Sequence, residues 1–226
     1  MTHDIKQIQS IRLRGLLPAV FDNAPGRERF AASSVMLGDV LLERGKSYCL
    51  NASSGTGKTS LCGFIYGSRR DYVGEILFND SDARSLSVEQ WCQLRRRHIA
   101  FLPQELGLFA ELSVMDNIQL KNRLTDTKTP TQIMQMLDRL DVADLADRLA
   151  GQISVGQQQR VALVRALCQP FDFILLDEPV SHLDAFNNQL CADLIVEEAA
   201  RYGAAIVFTS VGNPLSVKTP VIPLNL

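Results

Sequence analysis

Short apolar runs alternate along this chain with stretches whose apolar residues return every three or four positions. The runs SYCL (47–50), GEILF (74–78), HIAFL (98–102), FILL (173–176) and AAIVFT (204–209) predict strands, and the stretches between them predict helices. Such alternation argues for an α/β fold with a mostly parallel central sheet. FILL and the IVF of the last run are apolar throughout, as strands are when both faces are covered, so they belong at the centre. IRLRGLLPAV (11–20) adds an amino-terminal β portion. Between about 87 and 170 the texture turns helical, interrupted by HIAFLPQ, and predicts an inserted helical subdomain within one domain spanning 1–226. Its helices carry start signals: Ser87 with Gln90, and Thr129-Pro130-Thr131-Gln132, are capping boxes, the second with Pro at the first helical position. QIMQMLDRL (132–140) and VADLADRLA (142–150) are expected to pair as a helical hairpin with methionines as core filler. AFNNQLCADLIVEEAARYG (185–203) reads as a helix stopped by Gly203, followed by a last strand and a tail.

Composition narrows the function. The 226 residues are 46% hydrophobic and 21% charged, enough to bury a full core. A net charge of −2 and a pI near 5.9 leave no electrostatic footprint for nucleic acid. The five cysteines are scattered and contain no CxxC pair, which supports neither a disulfide framework nor a zinc site and fits a reducing compartment. MTHDIKQIQSIRLRG lacks the layout of a secretion signal, so the chain is expected to be retained. No stretch approaches the roughly 18 to 20 apolar residues of a membrane span. Trp91 reads as a packed aromatic anchor, and Arg95, Arg96 and Arg97 as a solvated, charged helix end.

Three stretches carry chemistry. SYCL runs into NASSGTGKTS (51–60) and then LCGFIYG, the order of strand, glycine-rich turn and helix that a phosphate-binding loop needs. Ala52, Ser53, Ser54, Gly55, Thr56, Gly57, Lys58, Thr59 and Ser60 form the cradle. Gly55 and Gly57 let backbone amides face phosphate oxygens, Lys58 reaches the β- and γ-phosphates, and the Thr59 hydroxyl is placed to ligate Mg²⁺. Next, FDFILLDEPVSHLD (171–184) ends a buried strand at Asp177 and Glu178, where carboxylates enter the crevice at the carboxyl edge of a parallel sheet. Asp177 is placed for Mg²⁺ through water, and Glu178 to take a proton from an attacking water or orient it. Finally, in ISVGQQQR (153–160), Ser154 and Gln157 fit a capping box, a reading that leaves Gly156, two glutamines and Arg160 unexplained.

In this order the motifs resemble the ATP-binding cassette (ABC) ATPase family over nearly the whole chain, with a faint likeness in spacing to the lipoprotein-release and macrolide-export branch. The resemblance implies a P-loop NTPase with ATP and Mg²⁺ as cofactors, working as a dimer with a second ABC ATPase subunit beneath membrane-spanning permease subunits. The chain would then lie in the cytoplasm, peripheral on the cytoplasmic face of the membrane through its partner. It also implies that Ser154, Gly156 and Gln157 are signature residues meeting the ATP of the second subunit. Gln104, in AFLPQELGLFAELSVMDNI (100–118), would contact Mg²⁺ and the attacking water, and Asp184 would communicate between sites. Phe21 and Phe30 are both open as the adenine-stacking aromatic, Phe21 favoured because it follows the first strand-like region.

Three positions depart from the family pattern. Ala52 stands for the first glycine of the loop, Val155 for the first glycine of the signature, and Ser210 for the His that senses the γ-phosphate. Serine reaches less far than imidazole and cannot become a cation. The expectation is retained ATP binding in a transporter ATPase subunit, with turnover slow or confined to one site of a mixed dimer. The competing reading is a nucleotide-gated assembly or regulatory module with little ATPase activity. A DNA-acting cassette is disfavoured by the acidic balance and the missing coiled-coil insertion, and a small-molecule kinase would leave ISVGQQQR unexplained.

Overall fold

The computed structural model describes residues 5–51 and 57–226. In chain order the elements are β1 (Ser10–Pro18), α1 (Ala24–Arg29), β2 (Asp39–Glu43), β3 (Ser47–Asn51), α2 (Lys58–Tyr66), β4 (Tyr72–Phe78), β5 (Ser81–Asp82), α3 (Val88–Arg97), β6 (Ile99–Leu102), α4 (Val114–Asn122), α5 (Pro130–Arg139), α6 (Val155–Leu167), β7 (Phe173–Leu176), α7 (Ala185–Tyr202), β8 (Ala205–Ser210) and β9 (Val221–Asn225). They form a four-stranded antiparallel sheet, β2-β1-β4-β5, and a five-stranded sheet, β6-β7-β8-β3-β9, whose pairings are all parallel.

Side chains alternate across the parallel sheet and build two cores, one on each face. Ile174 and Leu176 of β7 and Ile206 and Phe208 of β8 join the residues of α4 to α7. Phe173, Leu175, Ala205 and Val207 of the same strands pack toward α2, α3 and the antiparallel sheet. This two-sided burial is why FILL and IVF contain no polar residue, and β8 is the middle strand.

All three capping boxes form, at Ser87/Gln90, Thr129/Gln132 and Ser154/Gln157, and α7 stops at Gly203. Trp91 is buried edge-on to Phe78. Of the methionines, Met136 is core while Met134 is exposed.

Two expectations fail. VADLADRLA is not a helix: it holds only the 3-10 turn Ala143–Leu145 and runs into another at Ala150–Gln152. Its Val142, Leu145 and Ala150 are buried, but its backbone is spent on Leu112 and on the first two residues of α4. Val114 N–H donates to Arg148 O and Met115 N–H to Ala146 O, while Ala150 N–H donates to Leu112 O. These long-range bonds take the groups a helix would pair internally. The arginine end of α3 is also not simply solvated. Arg95 gives Nε–H to Tyr66 O at 3.0 Å and Nη2–H to Gly67 O at 2.7 Å, capping the carbonyl end of α2, and Arg96 donates to Leu124 O.

The tail contributes a further strand, β9, parallel to β3 with Ser47 opposite Val221. Pro220 and Pro223 hide it from a pattern search, yet an edge strand tolerates them.

Candidate functional site

β3, β6, β7 and β8 run parallel, so their carboxyl ends bring Asn51, Leu102, Leu176 and Ser210 to one edge of the sheet. The chain leaves that edge toward Lys58, Gln104 and Asp177, and the crevice there is where such sheets bind ligands. Ala52, Ser53, Ser54, Gly55 and Thr56 lie outside the described residues. Gly57 caps α2 with φ at 96°, and Lys58 and Thr59 open the helix, Lys58 being buried.

A cleft of ≈ 370 Å³ opens here, lined by Phe21, Lys58, Thr59, Ser60, Gln104 and Glu178 among others. Thr59 Oγ1 lies 3.5 Å from Gln104 Oε1, and Gln104 Nε2 gives a hydrogen bond to Glu178 Oε2 at 3.3 Å. Side chains from α2 and from the loops after β6 and β7 thus meet at one point. Phe21 is half-buried on the cleft wall, with its ring 5.3 Å from that of Phe30, whereas Phe30 is core at 4% exposure. Only Phe21 of that pair reaches the cleft.

Asp177 is held behind this wall. Its Oδ1 accepts from the Thr209 hydroxyl at 2.7 Å, while Oδ2 is buried and has no hydrogen-bond partner among the described residues. A buried anionic oxygen without a donor is costly and calls for a cation. Asp177 Oδ2, the Thr59 hydroxyl and the Gln104 amide oxygen are the hard oxygen donors Mg²⁺ prefers, and a Mg²⁺ site completes its shell with water and phosphate. No group of three His, Cys, Asp or Glu suited to a metal occurs among the described residues. Beneath the site, burial and then the Asp177 charge push the Cys62 thiol far up, which keeps it neutral and inert.

Glu178 has φ at 51°, a left-handed conformation rare outside glycine. Two side chains hold it there: its N–H donates to Thr209 Oγ1 at 2.9 Å, and its carbonyl accepts from Gln159 Nε2 at 3.0 Å. Thr209 therefore positions both acidic residues, a role its place inside an apolar strand did not advertise.

Ser154, Gly156, Gln157, Asp184 and Ser210 do not line this cleft. Ser154 and Gln157 are engaged with each other, Gln157 N–H to Ser154 Oγ at 3.3 Å and Ser154 N–H to Gln157 Oε1 at 2.9 Å. The other polar residues of that stretch have partners within the chain. Gln158 donates to Ala150 O at 2.8 Å, and Arg160 to Leu140 O at 2.5 Å and Asn187 Oδ1 at 3.0 Å. Gln159 also accepts the His182 N–H at 3.2 Å. Gly156 sits against His182 O and Leu183. Val155 is exposed at the helix start, Asp184 caps α7 through Asn187 N–H, and Ser210 ends β8 opposite Asn51.

The model of the ABC transporter family matches residues 39–181, from β2 to the loop after Glu178. The chain belongs to the ABC transporter family. Similar curated ABC proteins include the sulfate/thiosulfate import ATP-binding protein CysA of Salmonella typhi, 36% identical over 159 residues, 66% of this chain and 42% of that one. The Fe(3+) ions import ATP-binding protein FbpC 2 of Haemophilus influenzae is 35% identical over 173 residues, 75% of this chain and 48% of that one. The chain thus spans under half the length of these two relatives. Both are import proteins, which lends nothing to the likeness to the export branch. Among solved structures, a dimeric bacterial ABC transporter cassette superposes with a TM-score of 0.72 at 23% identity, over 83% of this chain and 84% of that one, which establishes the shared fold. No helix among the described residues is long and apolar enough to cross a membrane.

Proposed function

We propose that this ABC protein is the ATP-binding subunit of a transporter, hydrolysing ATP to drive transport through a separate membrane-spanning partner. The observation that carries this reading is the convergence of Thr59, Gln104 and Glu178 in one cleft, backed by an Asp177 oxygen without a partner among the described residues. Residues 1–226 act as one ATPase unit in which the helical segment of about 87–170 displays the signature.

ATP lies with its adenine against Phe21 and its phosphates on the first turn of α2, where the Gly57–Ser60 stretch and the helix dipole favour anions. Lys58 balances the charge of the β- and γ-phosphates. Gln104 and Glu178 hold a water for in-line attack on the γ-phosphorus. Glu178 takes the proton of that water as the bond to the γ-phosphorus forms and the β–γ bridge breaks, its electron pair leaving with ADP. Thr59, Asp177 and Gln104 would hold Mg²⁺, which when bound neutralises charge on the β- and γ-oxygens. Ser154 and Gly156 present the start of α6 to the ATP of a second subunit, across from Asp184. The chain rests on the cytoplasmic face of the membrane through its permease.

Slow turnover follows from Val155 and Ser210. A β-branched, exposed side chain stands where the second subunit's phosphate approaches, and no imidazole follows Thr209. The same two residues favour the regulatory-module reading if hydrolysis is absent altogether. The test is steady-state ATPase of the purified chain, alone and with its membrane partner. We expect turnover far below the roughly 10 s⁻¹ typical of enzymes, abolished by Glu178→Gln with ATP binding kept. A rate near that value ends the slow-turnover idea; zero turnover with tight ATP binding selects the regulatory module; no ATP binding removes the reading entirely.

A further inference from the structure

Arg69 stands in the wall of the cleft that contains Lys58, although nothing in its sequence setting marks it. The chain leaves α2 through Gly67, whose φ of 72° turns it back along the helix. A Cβ at position 67 would fall 2.4 Å from a ring carbon of Trp91, so the turn accepts glycine alone. The returning segment is then fastened to the helix: Arg69 N–H and the Ser68 hydroxyl both donate to Gly63 O at 3.2 Å. Gly63 leaves the groove in which the Arg69 stem lies, since a Cβ there would come within 3.4 Å of Arg69 Cγ and Cδ.

This places the guanidinium 5.3 Å from the centre of the Phe64 ring and gives its Nη1–H to Ser60 Oγ at 2.7 Å. Asp71 accepts from Nε at 3.0 Å and from Nη2, anchoring the group from behind. The hydrogen bonds that Arg69 donates to Asp71 hold its pKa above its ordinary value, so the group is a permanent cation. Of the five N–H donors a guanidinium carries, these bonds use three.

The position within the cleft follows from helix geometry. Thr59 and Ser60 are neighbours on the first turn of α2 and point about 100° apart. Thr59 meets Gln104 and through it Glu178, the end where water attacks; Ser60 meets Arg69. Arg69 therefore belongs to the other end, and Ala19 N–H donating to Asp71 O at 2.8 Å ties its segment to the turn that carries Phe21.

We propose that Arg69 is a nucleotide-binding residue that takes the α-phosphate and ribose side of a nucleoside di- or triphosphate; this rests on the ATP reading of the cleft. Because the α-phosphate is common to ATP and ADP, loss of the guanidinium weakens both alike, unlike loss of a γ-phosphate contact.

The test is isothermal titration of the whole chain with ATP and with ADP, for wild type, Arg69→Met and Arg69→Lys. Arg69→Met keeps the stem over Phe64 and is expected to weaken both nucleotides about five- to tenfold and equally, the range of one charge-assisted hydrogen bond at a half-exposed site. Arg69→Lys is expected to lose about threefold or less. Should Arg69→Met fail to fold, Arg69→Gln, which can still hydrogen-bond Ser60, gives the same comparison. Wild-type affinity in the folded variant overturns the assignment, as does a loss confined to ATP, which would put Arg69 at the γ-phosphate. Wild type that binds neither nucleotide overturns the cleft reading itself.

Discussion

Lys121 on α4 is a half-buried cation among cations. Its ammonium donates to Arg95 O at 3.3 Å, and burial first, then Arg165 of α6 and Arg95 of α3, push its pKa down from 10.5 to about 8. Tyr66 of α2 shares this cluster, its own pKa raised by burial against the pull of both arginines. A lysine whose pKa falls on folding binds more protons in the unfolded chain between about pH 8 and 10.5, so stability rises with pH across that window. Below pH 8 the folded protein carries the full cost of the charge. Lys121→Met, which keeps the buried stem and removes the charge, is therefore expected to stabilise the protein at pH 7 by on the order of 2 kcal/mol. The advantage shrinks as pH rises and is gone near 10.5. Urea melts at pH 7, 9 and 10.5 check it, and a variant less stable than wild type at pH 7 would show that the Arg95 contact outweighs desolvation. At this scale the meeting of Lys58, Gln104 and Glu178 in one cleft was legible because motif residues are close in sequence to the strand ends that place them. Arg69 was not, because only the reversal at Gly67 brings it to Ser60.

The start of α6 shows what an element adds to its residues. The capping box could be read from the sequence because its two partners are three residues apart. Gln159 could not, since it reaches residues around 20 positions on: it donates to Glu178 O and to Ser181 Oγ at 3.4 Å, and accepts from His182 N–H. One amide thereby fixes the strained turn after β7 to α6. A still longer separation in sequence hid the fate of VADLADRLA, whose apolar spacing is helical but whose backbone pairs with Leu112 and the start of α4. Gln159→Ala leaves the Glu178 carbonyl and the His182 amide without their partner and is expected to cost about 2 kcal/mol, with the melting temperature falling roughly 4–8 °C. Because Glu178 loses its support while Lys58 and Phe21 are untouched, kcat for ATP hydrolysis should fall about five- to tenfold with KM unchanged within about twofold. Steady-state kinetics beside a thermal melt separate the two effects. A lowered melting temperature with unchanged kcat would reduce Gln159 to a purely structural tie.

Over the whole molecule, the two sheets are joined at the end of the strands opposite the cleft. Asp172, just before β7, is 5% exposed; its Oδ2 accepts from Ile8 N–H at 2.8 Å and lies 2.7 Å from His98 Nδ1. Oδ1 lies 3.1 Å from Arg44 Nε, an ion-pair contact without the alignment of a hydrogen bond, and Arg44 also donates to Tyr202 O at the end of α7. One carboxylate so ties the approach to β1, the turn after β2, the approach to β6 and, through Arg44, α7. An aspartate before an apolar strand reads in the sequence as ordinary loop polarity, since the groups that converge on it come from positions 8, 44 and 98. Asp172→Ala leaves a buried amide unpaired and removes the counter-charge of Arg44, so a loss of about 3 kcal/mol is expected, seen as a fall of roughly 6–12 °C in melting temperature. The four residues of β7 separate Asp172 from Asp177 by roughly 13 Å or more at the usual rise per residue. ATP affinity of the folded variant should therefore stay within about twofold of wild type, and its stability loss should add to that of Gln159→Ala within about 0.5 kcal/mol. A coupled loss of ATP binding would instead mean that the ends of the parallel sheet respond as one, with the antiparallel sheet held in place partly by the occupied cleft.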